Sequence, residues 1–398
     1  MKIDVVIGSG YGDEGKGHVV SELAKSESVV VRFNGGAQAG HTVEYGPIRH
    51  VFSHFGSGTF NGAKTHLSSF FVVSPRHFQA ELQQLKGFYP VVTVDPECYV
   101  TTPYDVILNM MAEESRGSGR HGSVGIGFGE TIERNERNHL YGLKVRNLND
   151  VKDVMLRISK EWVPERAHEL GIDLRKFPEF HRTLTSLDTI ETFQMECNYF
   201  LSHVAILPDR FLKDEDHLVF EGAQGLLLDQ ELGDFPYVTR SNTGLKNVSK
   251  LLHEIGSKVQ EDVYYVSRPY TTRHGAGPMC HELLDVPYGL HDKTNVTGPY
   301  QGHLRYSYLD LPVIHKAVNT DIMVNASVNA NFHAVMTCMD QMPERVHVHT
   351  ERGFMNCDKA IVPGMFGKLF AKNIYITTSP QGKLELFMGK EMPQNANT

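Results

Sequence analysis

The chain has few cysteines and no long apolar segment. Its 398 residues include five scattered cysteines: Cys98, Cys197, Cys280, Cys338 and Cys357. None of them shows the paired spacing of a zinc site, so we expect reduced thiols and a cytoplasmic compartment. No apolar run approaches the ~18 residues that cross a bilayer. The apolar run at residues 5–7 is far too short for a secretory signal, so no membrane partner is expected.

Excess positive charge is also lacking. The 39 lysines and arginines are outnumbered by 47 aspartates and glutamates, which gives a net charge of -8. Proteins that bind nucleic-acid polymers usually present a basic face to the phosphates, so no such polymer is expected as a partner. Single nucleotides stay compatible with an acidic chain, because local cations and helix N-termini bind them. The 21 histidines include no closely spaced helical pair, and no metal site is expected among them.

Short β-branched runs alternate with helical stretches. Buried strands are predicted at residues 5–7, 29–31, 70–73, 91–94, 218–220, 263–266 and 334–337. Helical periodicity appears at residues 76–86 and 150–170. This alternation predicts an α/β protein with a large, mostly parallel central sheet and surrounding helices. No linker or repeat marks a boundary, so we expect a single domain over residues 1–398, with insertions.

A glycine-rich segment, residues 7–18, follows the first predicted strand directly. Its glycines leave backbone N–H groups open to an anion, and a helix that starts here would direct its positive end toward that anion. Lys16 adds a cation, while Asp13 and Glu14 add carboxylates for a hard metal ion that bridges phosphates. The Walker pattern requires a Ser or Thr directly after the lysine, so an ordinary P-loop triphosphatase is disfavoured.

Four blocks of the sequence resemble the signatures of adenylosuccinate synthetases and follow that family's order. They are GDEGKG at 12–17, RFNGGAQAGHT at 32–42, FEGAQG at 220–225 with FPYVT at 235–239, and TRHGAGP at 272–278. The resemblance implies a single α/β domain, a homodimer, and a ligase that joins L-aspartate to C6 of a 6-oxopurine nucleotide. In that reaction a nucleoside triphosphate first phosphorylates O6, and the aspartate amine then displaces the phosphate.

The resemblance also implies roles for individual residues. Asp13 matches the base that removes the purine N1 proton and lies near the metal, and His41 matches the acid that stabilises charge on the transferred phosphoryl group. Gly40 would offer its carbonyl to Mg²⁺, which prefers hard oxygen ligands. The residues implied for binding ATP or GTP are Gly12, Glu14, Gly15, Lys16, Gly17, Gly40, Thr42, Asp340, Ser379 and Pro380.

The purine nucleoside monophosphate is implied to contact Asp13, Gln38, Ser123, Gln224 and Thr239, with Thr239 near the 5′-phosphate. Ser123 lies in a glycine-rich stretch, residues 116–129, whose composition predicts a mobile loop that acts as a lid or phosphate clamp. The family usually has two threonines there, so Val124 removes one hydroxyl donor. Arg134 and Arg137 are candidates for an arginine that reaches the partner subunit's phosphate, and either is equally compatible with an ordinary surface charge.

Two further departures concern specificity. Ordinary members carry a run of arginines after Thr-Thr-Gly, but here Thr297-Gly298 is followed by a single one, Arg305. Thr297 and Arg305 remain candidates for binding aspartate, since a guanidinium pairs with a carboxylate. The arginine that would contact a ribose 2′-hydroxyl has no counterpart. At the guanine site Cys338 replaces the family's lysine and Ser379 replaces a glycine, which makes ATP plausible instead of GTP.

Three functions stay open. The departures favour the phage enzymes, related to adenylosuccinate synthetase, that condense aspartate with dGMP by using ATP on the way to 2-aminoadenine in DNA, in the host cytoplasm. Those relatives commonly have Ser in place of the first-motif aspartate, whereas Asp13 is retained. The ordinary reaction of IMP with GTP is the close alternative. A catalytically silent nucleotide-binding protein is remote, because it would not need Asp13, Lys16 and His41 together.

Overall fold

A ten-stranded sheet forms the centre of the protein in the computed structural model, which describes residues 1–388 except 291, 293, 294 and 296. The strands of the protein, of which ten form this central sheet and the rest form smaller sheets, are β1 (Lys2–Gly8), β2 (Val29–Arg32), β3 (His41–Tyr45), β4 (Ile48–Phe52), β5 (Lys64–Leu67), β6 (Val72–Val73), β7 (Val92–Val94), β8 (Tyr99–Val100), β9 (Ala205–Ile206), β10 (His217–Gly225), β11 (Glu261–Ser267), β12 (Tyr270–Arg273), β13 (Arg305–Asp310), β14 (Asn331–Met336), β15 (Arg345–Thr350), β16 (Gly353–Asp358), β17 (Asn373–Ile376) and β18 (Glu385–Leu386).

Helices cover the sheet. They are α1 (Lys16–Leu23), α2 (Pro75–Gln84), α3 (Pro103–Arg116), α4 (Phe128–Arg137), α5 (Lys152–Arg157), α6 (Val163–Glu169), α7 (Pro178–Thr185), α8 (Leu187–Leu201), α9 (Leu245–Glu254), α10 (Leu311–Asn325) and α11 (Val362–Gly367). Local signals explain their ends: Thr102 accepts the N–H of Asp105 while the Asp105 side chain accepts the N–H of Thr102, which starts α3. No described helix is long and apolar enough to span a bilayer.

The sheet order is β18-β17-β14-β11-β1-β10-β2-β5-β7-β9. Between described residues every adjacent pair is parallel except β17 with β18, which confirms the predicted α/β fold with a mostly parallel sheet. Successive residues of β1 enter different apolar clusters, Val5 on one face and Val6 on the other, so both faces of the sheet are covered. A separate four-stranded sheet has the order β12-β13-β15-β16.

Most predicted elements are confirmed, and one strand prediction is largely wrong. Residues 76–86 correspond to α2, and residues 150–170 correspond to α5 and α6, joined by a π-helical turn at Ile158–Trp162. Of residues 70–73 only Val72 and Val73 are extended, and they pair with β8 outside the central sheet.

Parallel strands place their carboxyl ends at one edge of the sheet, where ligands usually bind in this architecture. The chain passes from β1 into the glycine-rich turn, and β10 and β11 lie on either side of β1. β14 ends beside β11, and Thr337 follows it. The four central strands therefore bring residues far apart in the sequence to the same edge as the glycine turn.

Candidate active site

Glu14 shapes the glycine turn from the inside. Its Oε1 accepts the N–H groups of Gly10 (3.0 Å) and Gly12 (2.8 Å), and its Oε2 accepts a hydrogen bond from Lys16 Nζ (2.6 Å). The Glu14 and Lys16 side chains are only 5% and 3% exposed. Glu14 thus organises the turn, since its carboxylate accepts hydrogen bonds from two N–H groups of the turn and from Lys16; its predicted contact with the triphosphate stays a prediction.

Tight packing around Glu14 explains why residues 8 and 225 are glycines. A Cβ at Gly8 would lie 2.3 Å from Glu14 Oε2, and one at Gly225 would lie 2.5 Å from Glu14 Oε1. Gly12 and Gly15 have φ angles of 100° and 87°, which side-chain-bearing residues rarely adopt. The turn is therefore a defined backbone conformation held by a buried carboxylate, with α1 starting directly after it.

His41 is paired with a buried carboxylate from β10. His41 Nδ1 lies 2.5 Å from Glu221 Oε1, and Glu221 also accepts hydrogen bonds from the N–H (2.9 Å) and the hydroxyl of Ser57. Burial raises the pKa of Glu221, but His41, Arg32 and Ser57 outweigh it and lower this pKa to about 2. Burial lowers the pKa of His41, and the Glu221 carboxylate opposes that shift. Glu221 is therefore ionised and fixes which imidazole nitrogen faces the cavity.

Asp13 has a histidine neighbour from another block. His274 Nε2 lies 3.4 Å from Asp13 Oδ2, and the His274 and Asp13 side chains are 16% and 25% exposed. The other ring nitrogen of His274, Nδ1, is buried without a hydrogen-bond partner. A buried ring nitrogen of this kind is costly unless a ligand satisfies it.

Three cavities open along this edge of the sheet. The first, of about 350 Å³, is lined by Gly15, Thr42, Asp340, Ser379 and Pro380 among others. The second, of about 360 Å³, is lined by Gln38, Ser123, Gln224, Thr239 and His274 among others. The third, of about 100 Å³, is lined by Asp13, Glu14, Gly15, Lys16, Gly17, Gly40, His41, Thr42, Arg268 and Asn295. We call them the triphosphate, purine and central cavities.

The predicted site residues line different cavities. Five of those expected to bind the triphosphate line the triphosphate cavity, and all four expected to bind the purine nucleotide besides Asp13 line the purine cavity. Both catalytic candidates, Asp13 and His41, line the central cavity. The central and triphosphate cavities share Gly15, Thr42 and Arg268. Gln38 adds a further sign of a ligand site, because both polar atoms of its amide are buried without partners.

The two residues predicted to bind aspartate are placed elsewhere. Arg305 donates to both carboxylate oxygens of Glu282 and to the carbonyls of Gly275 (3.0 Å) and Gly277 (2.9 Å). Thr297 is exposed, and its hydroxyl lies 2.8 Å from His303 Nδ1. Neither lines any of the three cavities. This state therefore does not bring the aspartate-binding candidates to the central cavity, and their role stays a prediction.

Arg134 is wrong as a candidate for contact with a partner subunit. Its side chain is fully buried, and it donates to both carboxylate oxygens of Asp105 and to the carbonyls of Val100 and Tyr141. It joins α4 to the start of α3 and cannot reach another chain. Arg137 is exposed and paired with Glu133 and Glu169, as expected for a surface charge.

The glycine-rich stretch packs against two other segments. Gly122 approaches Gly275 so closely that a Cβ at Gly122 would lie 2.5 Å from the Gly275 Cα. Arg120 Nη1 donates to the carbonyl of Pro299 (3.0 Å). This contact holds Ser123 at the purine cavity, and the mobility of the stretch stays a prediction.

Sequence reasoning missed Glu221, Ser57, His274 and Arg268. Glu221 and His274 lie inside the recognised blocks, so their position was a usable signal. Arg268 directly follows β11 and lines both the triphosphate and central cavities, with its Nε buried and without a hydrogen-bond partner. Its position just after a predicted buried strand was the available signal.

Comparison with known proteins agrees with this geometry. A family model described as adenylosuccinate synthetase matches residues 5–343. The adenylosuccinate synthetase of Parabacteroides distasonis is 29% identical over 355 residues, which cover 85% of this chain and 81% of that protein. The enzyme of Bacteroides thetaiotaomicron is 30% identical over 358 residues, with 85% and 81% covered. That of Thermoplasma volcanium is 30% identical over 321 residues, with 80% and 72% covered.

Two solved structures share the fold. The fully ligated adenylosuccinate synthetase of Plasmodium falciparum has a TM-score of 0.75 and 18% identity, covering 97% of this chain and 100% of that chain. The succinoaminodeoxyadenylate synthetase of cyanophage S-2L, solved with dGMP and dATP, has a TM-score of 0.64 and 14% identity, covering 97% and 95%. Because the family model spans residues 5–343 and relatives at 30% identity are covered over more than two thirds of their length, this chain belongs to the adenylosuccinate synthetase family and is a C–N bond-forming ligase.

Proposed function

We propose that the protein joins L-aspartate to C6 of dGMP, with ATP as the phosphoryl donor, and forms 2-amino-2′-deoxy-N6-succinyladenylate. The observation that carries this choice is the position of His274 beside Asp13.

His274 is placed to recognise a purine 2-amino group. Asp13 would remove the proton from N1, and C2 is bonded to N1, so a substituent on C2 would lie close to the Asp13 carboxylate. His274 Nε2 is 3.4 Å from that carboxylate, and its Nδ1 is buried without a partner. With the ring proton on Nε2, Nδ1 is free to accept an N–H of the 2-amino group. Hypoxanthine has only C–H at this position and would leave Nδ1 unsatisfied, at a cost of about 1–3 kcal/mol.

The arginine pattern supports a deoxynucleotide. Arg305 survives from the family's arginine run, but Glu282 and two carbonyls occupy its guanidinium. The guanidinium is therefore already engaged and does not bind a ribose 2′-hydroxyl, whereas a deoxyribose has no 2′-hydroxyl to bind. The S-2L enzyme, which has the same fold, was solved with dGMP and with dATP as energy donor. One of its ligands, dGMP, is the monophosphate proposed for this chain, and the other, dATP, is the deoxy form of the proposed donor ATP.

The residues around the central cavity suit a two-step reaction. Asp13 takes the N1 proton, so that O6 attacks the γ-phosphorus of ATP and ADP leaves. The aspartate amine then attacks C6 and displaces the phosphate, losing a proton as the C–N bond forms. In its doubly protonated form, with Nδ1–H donating to Glu221, His41 would donate from Nε2 to the phosphoryl oxygens, and Arg268 would add positive charge beside them.

A magnesium ion fits the donors around the central cavity. The Asp13 carboxylate and the Gly40 carbonyl both line it, and both are hard oxygen ligands of the kind that Mg²⁺ prefers. We propose that these two residues bind the ion, which when present neutralises charge on the triphosphate. A homodimer and a single domain over residues 1–398 are proposed with it on the family resemblance.

Ordinary adenylosuccinate synthesis from IMP and GTP is the second candidate. The relatives at about 30% identity are named for it. Asp340 lines the triphosphate cavity, where its carboxylate could accept the N1 and N2 hydrogens of guanine. Under this alternative the buried Nδ1 of His274 would have no purine partner.

A substrate matrix separates the two functions. IMP, dIMP, GMP and dGMP are each incubated with aspartate and either ATP or GTP, and the product mass is measured. We expect succinylated product chiefly from dGMP with ATP; product only from IMP with GTP overturns the proposal. His274→Val should lower the preference for dGMP over dIMP about 5- to 150-fold, the equivalent of ~1–3 kcal/mol. His139→Ala, an exposed histidine away from all three cavities, serves as the control.

A further inference from the structure

Three side chains converge at the second sheet, away from the cavities. His281 follows β12, Asp310 ends β13 and His349 belongs to β15. His281 Nε2 lies 3.3 Å from Asp310 Oδ2, and His349 Nδ1 lies 3.3 Å from Asp310 Oδ1. One ligand atom from each residue lies within 4.8 Å of the other two. The spacing of these residues in the sequence, 29 and 39 positions apart (310 − 281 and 349 − 310), gives no metal-site signature.

We propose that His281, Asp310 and His349 bind a divalent transition-metal ion of the zinc class. Tetrahedral zinc with bonds of about 2.0–2.1 Å places neighbouring ligand atoms about 3.3–3.4 Å apart. His281 Nε2 lies 3.3 Å from Asp310 Oδ2 and His349 Nδ1 lies 3.3 Å from Oδ1, so whichever oxygen binds the ion, one nitrogen–oxygen separation already has that edge length. Two imidazoles and one carboxylate, with a fourth position left for water, form a common donor set for this metal.

A purely hydrogen-bonded cluster explains the arrangement less well. Hydrogen bonds from histidine to an ionised carboxylate are normally about 2.7–2.9 Å long. Here both contacts are 3.3 Å, and His349 Nδ1 is buried without a hydrogen-bond partner. The two imidazole rings are 4.1 Å apart between centroids, and each has a ring nitrogen 3.3 Å from the Asp310 carboxylate. A cation between them would satisfy the nitrogen lone pairs and the carboxylate together.

The surroundings would hold the ligands in place and leave a route for the ion. Asp310 Oδ1 accepts the N–H of Val313 (3.2 Å) at the start of α10, which orients the carboxylate. The Phe354 ring packs on both imidazoles, at 4.8 and 5.1 Å between centroids. His281 is 33% exposed and provides access from solvent.

The metal would stabilise one wall of the purine cavity. His281 ends the segment that begins at Arg273 and includes His274, and the next residue, Glu282, holds Arg305. A metal bond at His281 would tie this segment to β13 and β15. The site is separate from the magnesium position at Asp13 in both place and donor chemistry, and it stands whether the substrate is dGMP or IMP.

Metal titration of the full-length protein tests the proposal. The protein is stripped with a chelator and titrated with Co²⁺, followed by visible absorption, and with Zn²⁺ against a competing dye. We expect one equivalent with a tetrahedral Co²⁺ spectrum. His281→Ala and His349→Ala should each lower affinity by more than the ~10–100-fold that loss of an outer hydrogen-bond partner costs. His139→Ala should bind as the unmodified protein does.

Two results would overturn the inference. One is an octahedral Co²⁺ spectrum or no stoichiometric binding; the other is unchanged affinity in both histidine variants. Hydrogen exchange of residues 273–282 provides a second readout, since these amides should exchange faster after metal removal in the unmodified protein and show no metal dependence in His349→Ala. Asp310 is left unchanged because it also caps α10.

Discussion

Replacing Glu221 with glutamine tests whether the charge of the buried carboxylate supports His41. Glu221 accepts from the N–H (2.9 Å) and hydroxyl of Ser57 and from His41 Nδ1 (2.5 Å). Glutamine has one acceptor oxygen and one NH₂ group. Because a backbone N–H cannot become an acceptor, the amide oxygen should stay at Ser57 and the NH₂ group should face His41. The imidazole would then keep its proton on Nε2 and lose its negative partner.

The size of the effect follows from the distance. An opposite charge within ~4–6 Å shifts a pKa by about 1–3 units, and each unit is worth about 1.4 kcal/mol. Removing the charge 2.5 Å from His41 should therefore cost about 1.4–4 kcal/mol of support for the imidazolium in the transition state. This corresponds to a kcat lower by about 10- to 1000-fold. Nucleotide Kd values should stay nearly unchanged, since Glu221 is fully buried and lines none of the three cavities.

Glu81→Gln is the matched control. Glu81 is also buried, and it accepts the N–H (2.9 Å) and hydroxyl (2.6 Å) of Ser53 and the N–H of His54 (2.8 Å), but it lines none of the three cavities described above. Both variants should lose stability, measured by urea unfolding. Only Glu221→Gln should lose kcat at saturating substrates. A kcat within twofold of the unmodified protein, or an equal loss in Glu81→Gln, would refute the role assigned to the charge.

Three further variants probe other features. Glu14→Gln leaves the buried Lys16 without its charged partner and should cost about 3 kcal/mol or more in urea unfolding; magnesium and triphosphate should recover part of it, and a loss below 1 kcal/mol would contradict the described pair. Gly122→Ala places a Cβ 2.5 Å from Gly275 at a φ of 78°, and should raise KM for the monophosphate about 5- to 30-fold, with kcat nearly unchanged. Burial lowers the pKa of His54 from 6.5 to about 3, so between these two pH values only the unfolded state binds the proton. The free energy of unfolding should therefore fall on acidification, by up to ~1.4 kcal/mol per pH unit. His54→Gln should flatten this pH dependence, and an unchanged slope would show that other groups cause it.

Local patterns predicted the parts of the fold that depend on local physics. The apolar run of β1, the glycines after it and the start of α1 are read from neighbouring residues, and the structure has all three. β5 was missed because its sequence, KTHL, holds one apolar residue and lacks alternation, although it lies in the interior of the sheet. Its strand conformation comes from pairing with β2 and β7.

Long-range pairing limited the prediction of the site. The recognised blocks placed Asp13 and His41 at one cavity, but the partner of His41 lies 180 residues away, and no spacing rule connects them. The pairing of Arg305 with Glu282 shows the opposite error: the residue type suggested a free cation for a ligand, whereas the protein itself neutralises it. Whether a charged side chain is already paired within the protein depends on tertiary contacts, which a single sequence does not reveal.

Arg268 has a consequence for how the ligands bind. Its side chain borders both the triphosphate and the central cavities. An anion in either cavity is therefore attracted by the same positive charge, and it weakens the electrostatic attraction of a second anion to the other cavity. By thermodynamic reciprocity, the factor by which ATP changes the affinity for a carboxylate or phosphate in the central space equals the factor by which that anion changes the affinity for ATP. The order in which ATP and the other anion are added can change how fast the complex assembles, but not the factor by which each lowers the affinity for the other.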